Sequence, residues 1–462
     1  MPKWRWQKSN LYPTDNAPYG SGMMPSSRDA PPMPPRDGTR QKTENAPLSI
    51  YVHWPFCEKK CPYCDFNVHL APHPHSLDEE AILHAFIQEL TCYAQSTKHK
   101  RLESIFFGGG TPSIMPYHIV SSIIATCHQL WQCSPHIEIS LEANPQDHRR
   151  IRHYMAAGAQ RISLGGQAYD KKRLAFLGRT HTIDDIHHSL DAILRHQGTA
   201  SCDLISCLPC DTPRTWHKEL SAIASLPWHH LSVYQLTIEE KTPFHKALQK
   251  KLWSPPSMAM QRRIDACTED TLKAHGFYRY EISNYSTHRT TQCHHNKGYW
   301  QSHDYIGIGP GAHSRLTISS QDKTIRYALE NHKHPRHWQR ACHDKGHGRS
   351  TVYALTARQY AIEYLSMGLR LTKGIALTPL TRALNMPIYR LIRPDVVEAQ
   401  QRQGFLHMTK TQGMGNAPAY HMRLSKKGFL LQDALIIDLL AETSPRHQDP
   451  QAEMSQCPYE LT

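Results

Sequence analysis

The sequence lacks any apolar run of about 18 residues or more, so its hydropathy predicts no transmembrane helix. Residues 1–46 also lack the apolar core of a secretory signal, and they are poor in the Arg and Ser of a transit peptide. No run of Lys and Arg forms a basic tail, although the formal net charge is +13. We therefore expect a cytoplasmic protein whose partner is not a nucleic acid.

The 13 cysteines are an odd number in a long chain without an export signal, which argues against a disulfide framework. Reduced thiols indicate metal binding, catalysis or simple burial instead. The 33 histidines are scattered without a period, so we expect most of them to lie on the surface and only a few to act as ligands.

Composition and periodicity divide the chain into five segments. We predict a disordered Pro-rich arm at 1–46, a barrel domain at 47–330, a linker at 331–355, a helical domain at 356–442 and a disordered tail at 443–462. The length suits one large domain joined to a smaller one. A homodimer is compatible with this organisation, but the sequence does not decide the oligomeric state.

Six short β-rich runs alternate with longer amphipathic stretches in the first domain. The runs are 49–53, 103–107, 137–142, 161–165, 202–206 and 230–235. This α/β pattern predicts a parallel sheet or barrel with its site at the carboxyl ends of the strands. Beyond Thr356, helical stretches and two short strands predict a winged-helix-like module. Because none of its helices is densely basic, we expect it to pack against the first domain.

The strongest motif is Cys57-Glu-Lys-Lys-Cys61-Pro-Tyr-Cys64, directly after the first predicted strand. Three thiolates can bind three irons of a [4Fe–4S] cluster and leave the fourth iron open for an amino acid's amine and carboxylate. Structural zinc is the alternative, but zinc prefers four ligands and no fourth Cys or His lies at finger spacing. The spacing therefore favours a cluster that binds S-adenosylmethionine (SAM).

Polar or glycine residues follow four further predicted strands. Gly108-Gly109-Gly110-Thr111-Pro112 lets a ligand approach the backbone closely, and Glu142 offers a carboxylate to a ribose or an amine. Gln167 and Asp203 end the next two strands, and Arg179 offers a fixed cation to a carboxylate. Taken singly, each of these residues could equally cap a helix or form a salt bridge.

Together these motifs resemble the coproporphyrinogen dehydrogenase/HemW branch of the radical SAM superfamily. The resemblance runs from about Ser49 to about Leu440 and also includes the sequences YVHWPFC, EANP, RISLG, LGRTH and DLI. It implies a partial (β/α)₆ radical SAM barrel with a C-terminal helical, winged-helix-like domain, and an exchangeable SAM. The SAM contacts that it implies are Tyr51, Tyr63, Gly109, Gly110, Thr111, Glu142, Gln167, Arg179 and Asp203.

Two features separate the branches of this family. Phe66 occupies the position where the dehydrogenases have a further Cys, two residues after Cys64. Residues 293–300, CHHNKGYW, resemble the haem-associated H-N-x-x-Y-W motif of the HemW branch. The haem contacts that this implies are His295, Asn296, Tyr299 and Trp300. The structural alternative makes the aromatic pair core residues and gives the histidine a capping role.

The resemblance to HemW implies a haem chaperone that passes haem to an acceptor protein. The first alternative is an oxygen-independent coproporphyrinogen III dehydrogenase, and the second is a tetrapyrrole-binding protein with a purely structural cluster. Whether the protein is an enzyme stays open, because SAM cleavage cannot be read from the sequence. Cys207 and Cys210 depart from the family pattern and form a C-x-x-C with two interpretations, a redox or metal role or simple burial.

Overall fold

The structure is a computed structural model that describes residues 45–71, 77–319, 324–412, 418–429 and 431–440. The predicted arm falls outside these residues except at its last two positions, and the predicted tail falls wholly outside them. Among the described residues, no helix has both the length and the apolar character needed to cross a bilayer.

Within the described residues, seventeen strands form three sheets. They are β1 Pro47–Trp54, β2 Phe56–Cys57, β3 His69–Leu70, β4 Arg101–Gly109, β5 Gln132–Ala143, β6 Arg161–Gln167, β7 Thr199–Ser206, β8 His230–Gln235, β9 Tyr278–Arg279, β10 Asn284–Ser286, β11 Asp304–Ile308, β12 His313–Ser319, β13 Thr324–Asn331, β14 Arg349–Ala354, β15 Ile375–Ala376, β16 Leu406–Gln412 and β17 Pro418–Leu424.

The α-helices of the described part of the chain are α1 Glu79–Thr97, α2 Tyr117–Leu130, α3 His148–Ala156, α4 Lys171–Phe176, α5 Ile183–Arg195, α6 Pro213–Ala224, α7 Pro243–Gln249, α8 Met258–Ala274, α9 His294–Trp300, α10 Pro335–Lys345, α11 Ala357–Gly368, α12 Thr378–Leu384, α13 Pro394–Arg402, α14 Lys426–Phe429 and α15 Gln432–Leu440. Short 3₁₀ turns include Pro112–Ile114 and Pro145–Asp147.

The main sheet has twelve strands in the order β14-β13-β12-β11-β1-β4-β5-β6-β7-β8-β10-β9. The seven strands from β11 to β8 are parallel, and the strands at both edges are antiparallel. The six predicted β/α units are therefore confirmed, and β11 is a seventh parallel strand that the sequence pattern did not predict. Because β14 and β9 end the sheet without pairing to each other, the barrel is partial.

Burial on both faces explains why the parallel strands are so apolar. Seven of the eight residues of β1 are buried, since helices cover one face and the barrel interior lies on the other. The outer helices present narrow apolar stripes, as in α5, where Ile186, Leu190 and Ile193 are buried. Thr182 begins α5 through a capping box with Asp185.

The predicted linker at 331–355 is wrong, because these residues contain α10 and β14, which belong to the main sheet domain. Trp338 of α10 is buried and donates its indole N–H to Glu89 of α1 at 2.8 Å. Glu89 also accepts the N–H groups of Gly309 and Gly348, both at 2.9 Å. The polar, His-rich composition of α10 concealed its single apolar stripe.

The C-terminal elements form a second apolar core on a three-stranded sheet, β15-β17-β16. Glu363 of α11 joins this unit to the barrel domain, because it pairs with Arg315 at 2.8 Å and with Arg326 at 3.1 Å. All three side chains are largely buried. The helices and small wing match the predicted winged-helix-like module, and the module packs against the first domain as expected.

Candidate functional site

A cavity of about 520 Å³ opens at the carboxyl ends of the parallel strands. Its wall contains the ends of β4, β5, β6 and β8 and the loop that follows β2. Arg370 and Phe429 of the C-terminal unit complete the far side. The cavity therefore lies at the edge where a parallel barrel gathers the side chains that follow its strands.

The three motif cysteines line one wall of this cavity. Cys57 ends β2. Cys61 and Cys64 lie in the turn that follows, where the Cys64 N–H donates to the Cys61 carbonyl at 3.1 Å. Burial, together with the smaller effects of the Cys64 and Cys61 thiolates, raises the pKa of Cys57 to about 11 against the opposing charge of Lys60. Such a thiol ionises readily only beside a strong cation, so the donor set fits a cluster with bound iron.

Gly109 and Gly110 are required by the backbone packing of this wall. Gly109 has φ +116°, and its N–H donates to Glu142 Oε2 at 3.2 Å. A Cβ on Gly110 would lie 2.3 Å from the carbonyl oxygen of Phe56, in the segment that leads to Cys57. The glycines therefore let the end of β4 approach the cysteine loop closely, as well as leaving room at the cavity.

Arg179 links the cysteine loop to the strand ends. Its Nη1 lies 3.5 Å from Cys61 Sγ, and its Nη2 donates to Asn144 Oδ1 at 2.6 Å and to the Gly165 carbonyl at 3.1 Å. The half-buried guanidinium thus brings a positive charge to the cavity wall, where it offsets thiolate charge and can meet an anionic ligand.

Gln167 and Asp203 complete the wall on β6 and β7. Gln167 adopts φ +64°, a left-handed conformation that turns the chain out of β6. Asp203 accepts the hydroxyl of Ser163 at 3.2 and 3.3 Å, and burial raises the pKa of its carboxyl group. A buried carboxyl group at the mouth of the barrel is suited to hydroxyl or amine donors of a ligand.

Eight of the nine predicted SAM contacts line the cavity. They are Tyr63, Gly109, Gly110, Thr111, Glu142, Gln167, Arg179 and Asp203. The ninth, Tyr51, lies behind the wall: it stacks on Phe106, and its hydroxyl is 3.0 Å from His53 Nδ1. Strand β1 alternates its side chains, and the position of Tyr51 directs the ring into the barrel interior.

The four predicted haem contacts lie away from this cavity, on α9. His295 is 1% exposed and Trp300 is fully buried. His295 Nδ1 is 2.9 Å from Ser104 Oγ and its Nε2 is 3.1 Å from Tyr299 Oη, so both ring nitrogens have partners. Burial lowers the pKa of His295 to about 3 and keeps the imidazole neutral. Asn296 is also buried and Tyr299 is half-buried, and His295 pairs with two side chains and does not cap a turn.

Glu138 and Arg161 hold the first turn of α9 inside the barrel. Glu138 Oε1 accepts the N–H groups of His294 at 2.9 Å and His295 at 3.3 Å. Glu138 Oε2 accepts from Arg161 Nε at 3.0 Å, and Arg161 Nη2 donates to the Thr291 carbonyl at 2.9 Å. A carboxylate at the N-terminus of a helix satisfies backbone donors that would otherwise be buried without partners.

The sequence patterns missed several residues of the cavity. Asn144 and Ser163 touch Arg179 and Asp203, respectively, and Tyr234 lines the wall from β8. The alternation of β6 could have indicated Ser163, which lies on the same face as Gln167. Distant residues carry no local signal. They are Met258, Gln261, Arg262, Asp265, Arg279, Arg370 and Phe429.

The C-x-x-C departure does not form a bridge. Cys207 is buried and Cys210 is exposed, both are free thiols, and burial raises the pKa of Cys207 to about 11. Both residues have positive φ, 61° and 67°. This left-handed backbone favours glycine at both positions.

The chain is similar in sequence to several known proteins. The family model described as the Radical SAM superfamily matches residues 51–222. Radical S-adenosyl methionine domain-containing protein 1, mitochondrial, from Mus musculus is 33% identical over 348 residues, which cover 75% of this chain and 76% of that protein. Heme chaperone HemW from Haemophilus influenzae is 33% identical over 301 residues, which cover 63% of this chain and 75% of that protein.

The solved structure of coproporphyrinogen III oxidase (HemN) from Escherichia coli has a TM-score of 0.68 to this chain at 20% sequence identity. The match covers 87% of this chain and 92% of that one, and at this identity it shows a shared fold. The relatives, the family model and the three-cysteine wall agree on one assignment: the chain belongs to the HemN/HemW family of the radical SAM superfamily.

Proposed function

We propose that the protein binds haem and transfers it to an acceptor protein, and that it carries a [4Fe–4S] cluster on Cys57, Cys61 and Cys64 with an exchangeable SAM. The observation that carries this proposal is Phe66, which lines the cavity together with Cys64. It occupies the position of the extra cysteine of the dehydrogenase branch. Relatives named heme chaperone HemW support the same choice. The acceptor protein is not identified by any feature of the chain.

The cavity residues account for how the cofactors would be bound. The cluster, when present, supplies an open iron for the amine and carboxylate of SAM. Arg179 lies beside Cys61 and brings positive charge to that end of the cavity. Glu142 and Asp203 offer carboxyl groups to hydroxyl and amine donors farther along the wall. Tyr63, between Cys61 and Cys64, is 8% exposed and lines the same cavity.

We also propose that the α9 residues His295, Asn296, Tyr299 and Trp300 contact haem. A neutral imidazole is the form of histidine that ligates haem iron, and burial keeps His295 neutral. Coordination requires α9 to move, because both ring nitrogens of His295 are hydrogen-bonded in this structure. The proposal therefore includes an opening of this helix.

One observation favours the oxidase alternative. The cavity continues past Asp203 to Arg262, Arg279 and Arg370, which have charge complementary to the carboxylates of a porphyrinogen. A coproporphyrinogen III dehydrogenase would use that part of the cavity to hold its substrate. A purely structural cluster is the third candidate, and it predicts neither SAM cleavage nor haem transfer.

The test uses anaerobically purified protein with a reconstituted cluster. Haem is titrated in one series, and coproporphyrinogen III with SAM and reductant is supplied in another. We expect stoichiometric haem binding, transfer to an apo-haem protein, and no CO₂ from coproporphyrinogen. CO₂ release with SAM consumption would show that the protein is an oxidase, and that Phe66 does not distinguish the chaperone from the dehydrogenase.

A matched pair of variants tests the haem residues. We expect His295→Ala to lose haem binding and His294→Ala to retain it, since His294 lies on the same helix but is not one of the proposed haem contacts. If folded His295→Ala still binds haem, His295 serves only in packing and the proposed haem contacts on α9 are wrong. The transfer assay then tests the chaperone proposal separately. Cell fractionation tests the proposed cytoplasmic location, because several relatives are named mitochondrial.

A further inference from the structure

Two outer helices bring three metal-ligating side chains together on the surface of the barrel. His148 is the first residue of α3, and Asp185 and His188 lie one turn apart in α5. One ligand atom from each of the three residues lies within 4.8 Å of the other two. His148 Nδ1 is 3.8 Å from Asp185 Oδ1, and the rings of His148 and His188 are 5.2 Å apart.

One oxygen of the Asp185 carboxylate is held by hydrogen bonds, and the other oxygen faces His148. Its Oδ2 accepts the N–H of Thr182 at 2.7 Å and the hydroxyl of Thr182 at 2.8 Å. Burial raises the pKa of Asp185, but the two bonds from Thr182 and the nearby His148 outweigh it, so the net shift is downward. The carboxylate is therefore ionised at neutral pH, with Oδ1 directed at His148 Nδ1.

His148 Nδ1 is shielded from solvent and has no hydrogen-bond partner among the described residues. Its distance of 3.8 Å from the carboxylate is too long for a hydrogen bond. A shielded polar atom without a partner costs free energy, and a bound cation would satisfy it.

We propose that His148, Asp185 and His188 form a binding site for a divalent transition-metal ion, with zinc as the best chemical fit. Zinc accepts imidazole nitrogen and carboxylate oxygen at about 2.0–2.2 Å and completes a tetrahedron with a water molecule. The three ligand atoms lie within 4.8 Å of one another, so side-chain rotation is needed to bring all of them to zinc distances.

The site is distinct from the cysteine cavity, since none of its three ligands lines that cavity. It nevertheless joins the two segments that hold the Arg179–Asn144 contact. The chain runs from Asn144 to His148 in one segment and from Arg179 to Asp185 in the other. A metal ion would bind these segments together beyond the hydrogen bond from Ser189 Oγ to the Pro145 carbonyl at 2.9 Å.

The experiment is a Zn²⁺ titration of the cluster-loaded protein under anaerobic conditions, against a chromophoric chelator. Loading the cluster keeps the three motif cysteines from binding zinc. We expect one Zn²⁺ to bind the unaltered protein, and we expect His148→Ala and His188→Ala each to weaken it by about 100-fold. The control is His128→Ala, which removes an exposed histidine of α2 and should leave the affinity unchanged.

Thermal unfolding supplies a second readout that does not depend on activity. Zn²⁺ should raise the unfolding midpoint of the unaltered protein and of His128→Ala, and it should not raise that of His188→Ala. The His188 side chain is exposed, so its removal leaves the fold intact. Equal Zn²⁺ affinity in all four proteins, or no binding by the unaltered protein at about 10 µM free Zn²⁺, overturns the proposal.

Discussion

His295 Nδ1 lies 2.9 Å from Ser104 Oγ, near the amino-terminal end of β4 and far along that strand from Gly109 at the cavity. The ring also stacks on Phe106, with centroids 4.9 Å apart. One histidine therefore joins α9 to the interior of the barrel, although sequence resemblance associates it with haem. Its contribution to stability can be measured without haem.

His295→Ala should lower the free energy of unfolding by about 2–4 kcal/mol, because it removes two buried hydrogen bonds and leaves a cavity beside Phe106. Urea denaturation of the haem-free protein measures the change. His294→Ala, on the same helix, should change stability by less than about 1 kcal/mol. Similar losses in both variants would contradict the packing role.

Glu138→Gln should destabilise the protein by about 3–5 kcal/mol, because Arg161 would keep a buried charge without its carboxylate. Burial alone would raise the pKa of Glu138, but Arg161 and the α9 N–H groups lower it below the usual 4.5. The ion pair therefore contributes stability above pH 4.5, and this contribution is lost as the pH falls through the lower folded-state pKa.

Denaturation curves at a series of acidic pH values test that dependence. The unaltered protein should lose stability progressively below about pH 4.5, and the part due to Glu138 should be missing from Glu138→Gln. A variant with the same acid profile as the unaltered protein would show that the pair does not control it.

Cys210→Gly should stabilise the protein by about 0.5–1 kcal/mol. Cys210 is exposed and has φ +67°, where a side chain costs free energy and glycine does not. Thermal or urea unfolding measures the gain, and Cys210→Ala is the control because it keeps a Cβ at the same φ. An equal gain from alanine would assign the effect to the loss of the thiol.

Replacement of any one of Cys57, Cys61 and Cys64 by Ala should prevent assembly of the cluster, since each thiol lines the same wall. Iron content and the visible absorbance after anaerobic reconstitution measure the loss. Cys133→Ala, at a half-buried thiol of β5, should reconstitute normally. Full iron content in a Cys61→Ala protein would rule out the proposed ligand set.

Much of the cavity could be predicted because its residues follow regular local patterns. The C-x₃-C-x₂-C spacing and the polar residues at strand ends are local signals, and parallel strands bring such residues to one edge. The structure differs from the sequence-based predictions at Tyr51, which does not line the cavity, and at residues 331–355, which are not a linker. The side chain of Tyr51 lies on the interior face of β1, against Phe106. The apolar stripe of α10 lies among polar side chains, so its composition resembles that of a linker.

The sequence by itself determined the cysteine wall, the order of the β/α units and the family, because each depends on residues close together in the chain. Only the tertiary structure decided which side chains meet across distant segments. It buried His295 against Ser104, brought Arg370 and Phe429 to the far side of the cavity, and joined His148 to α5. These contacts depend on how the helices and the sheet pack against one another, and an apolar stripe shows that a helix packs without showing which distant residue it meets.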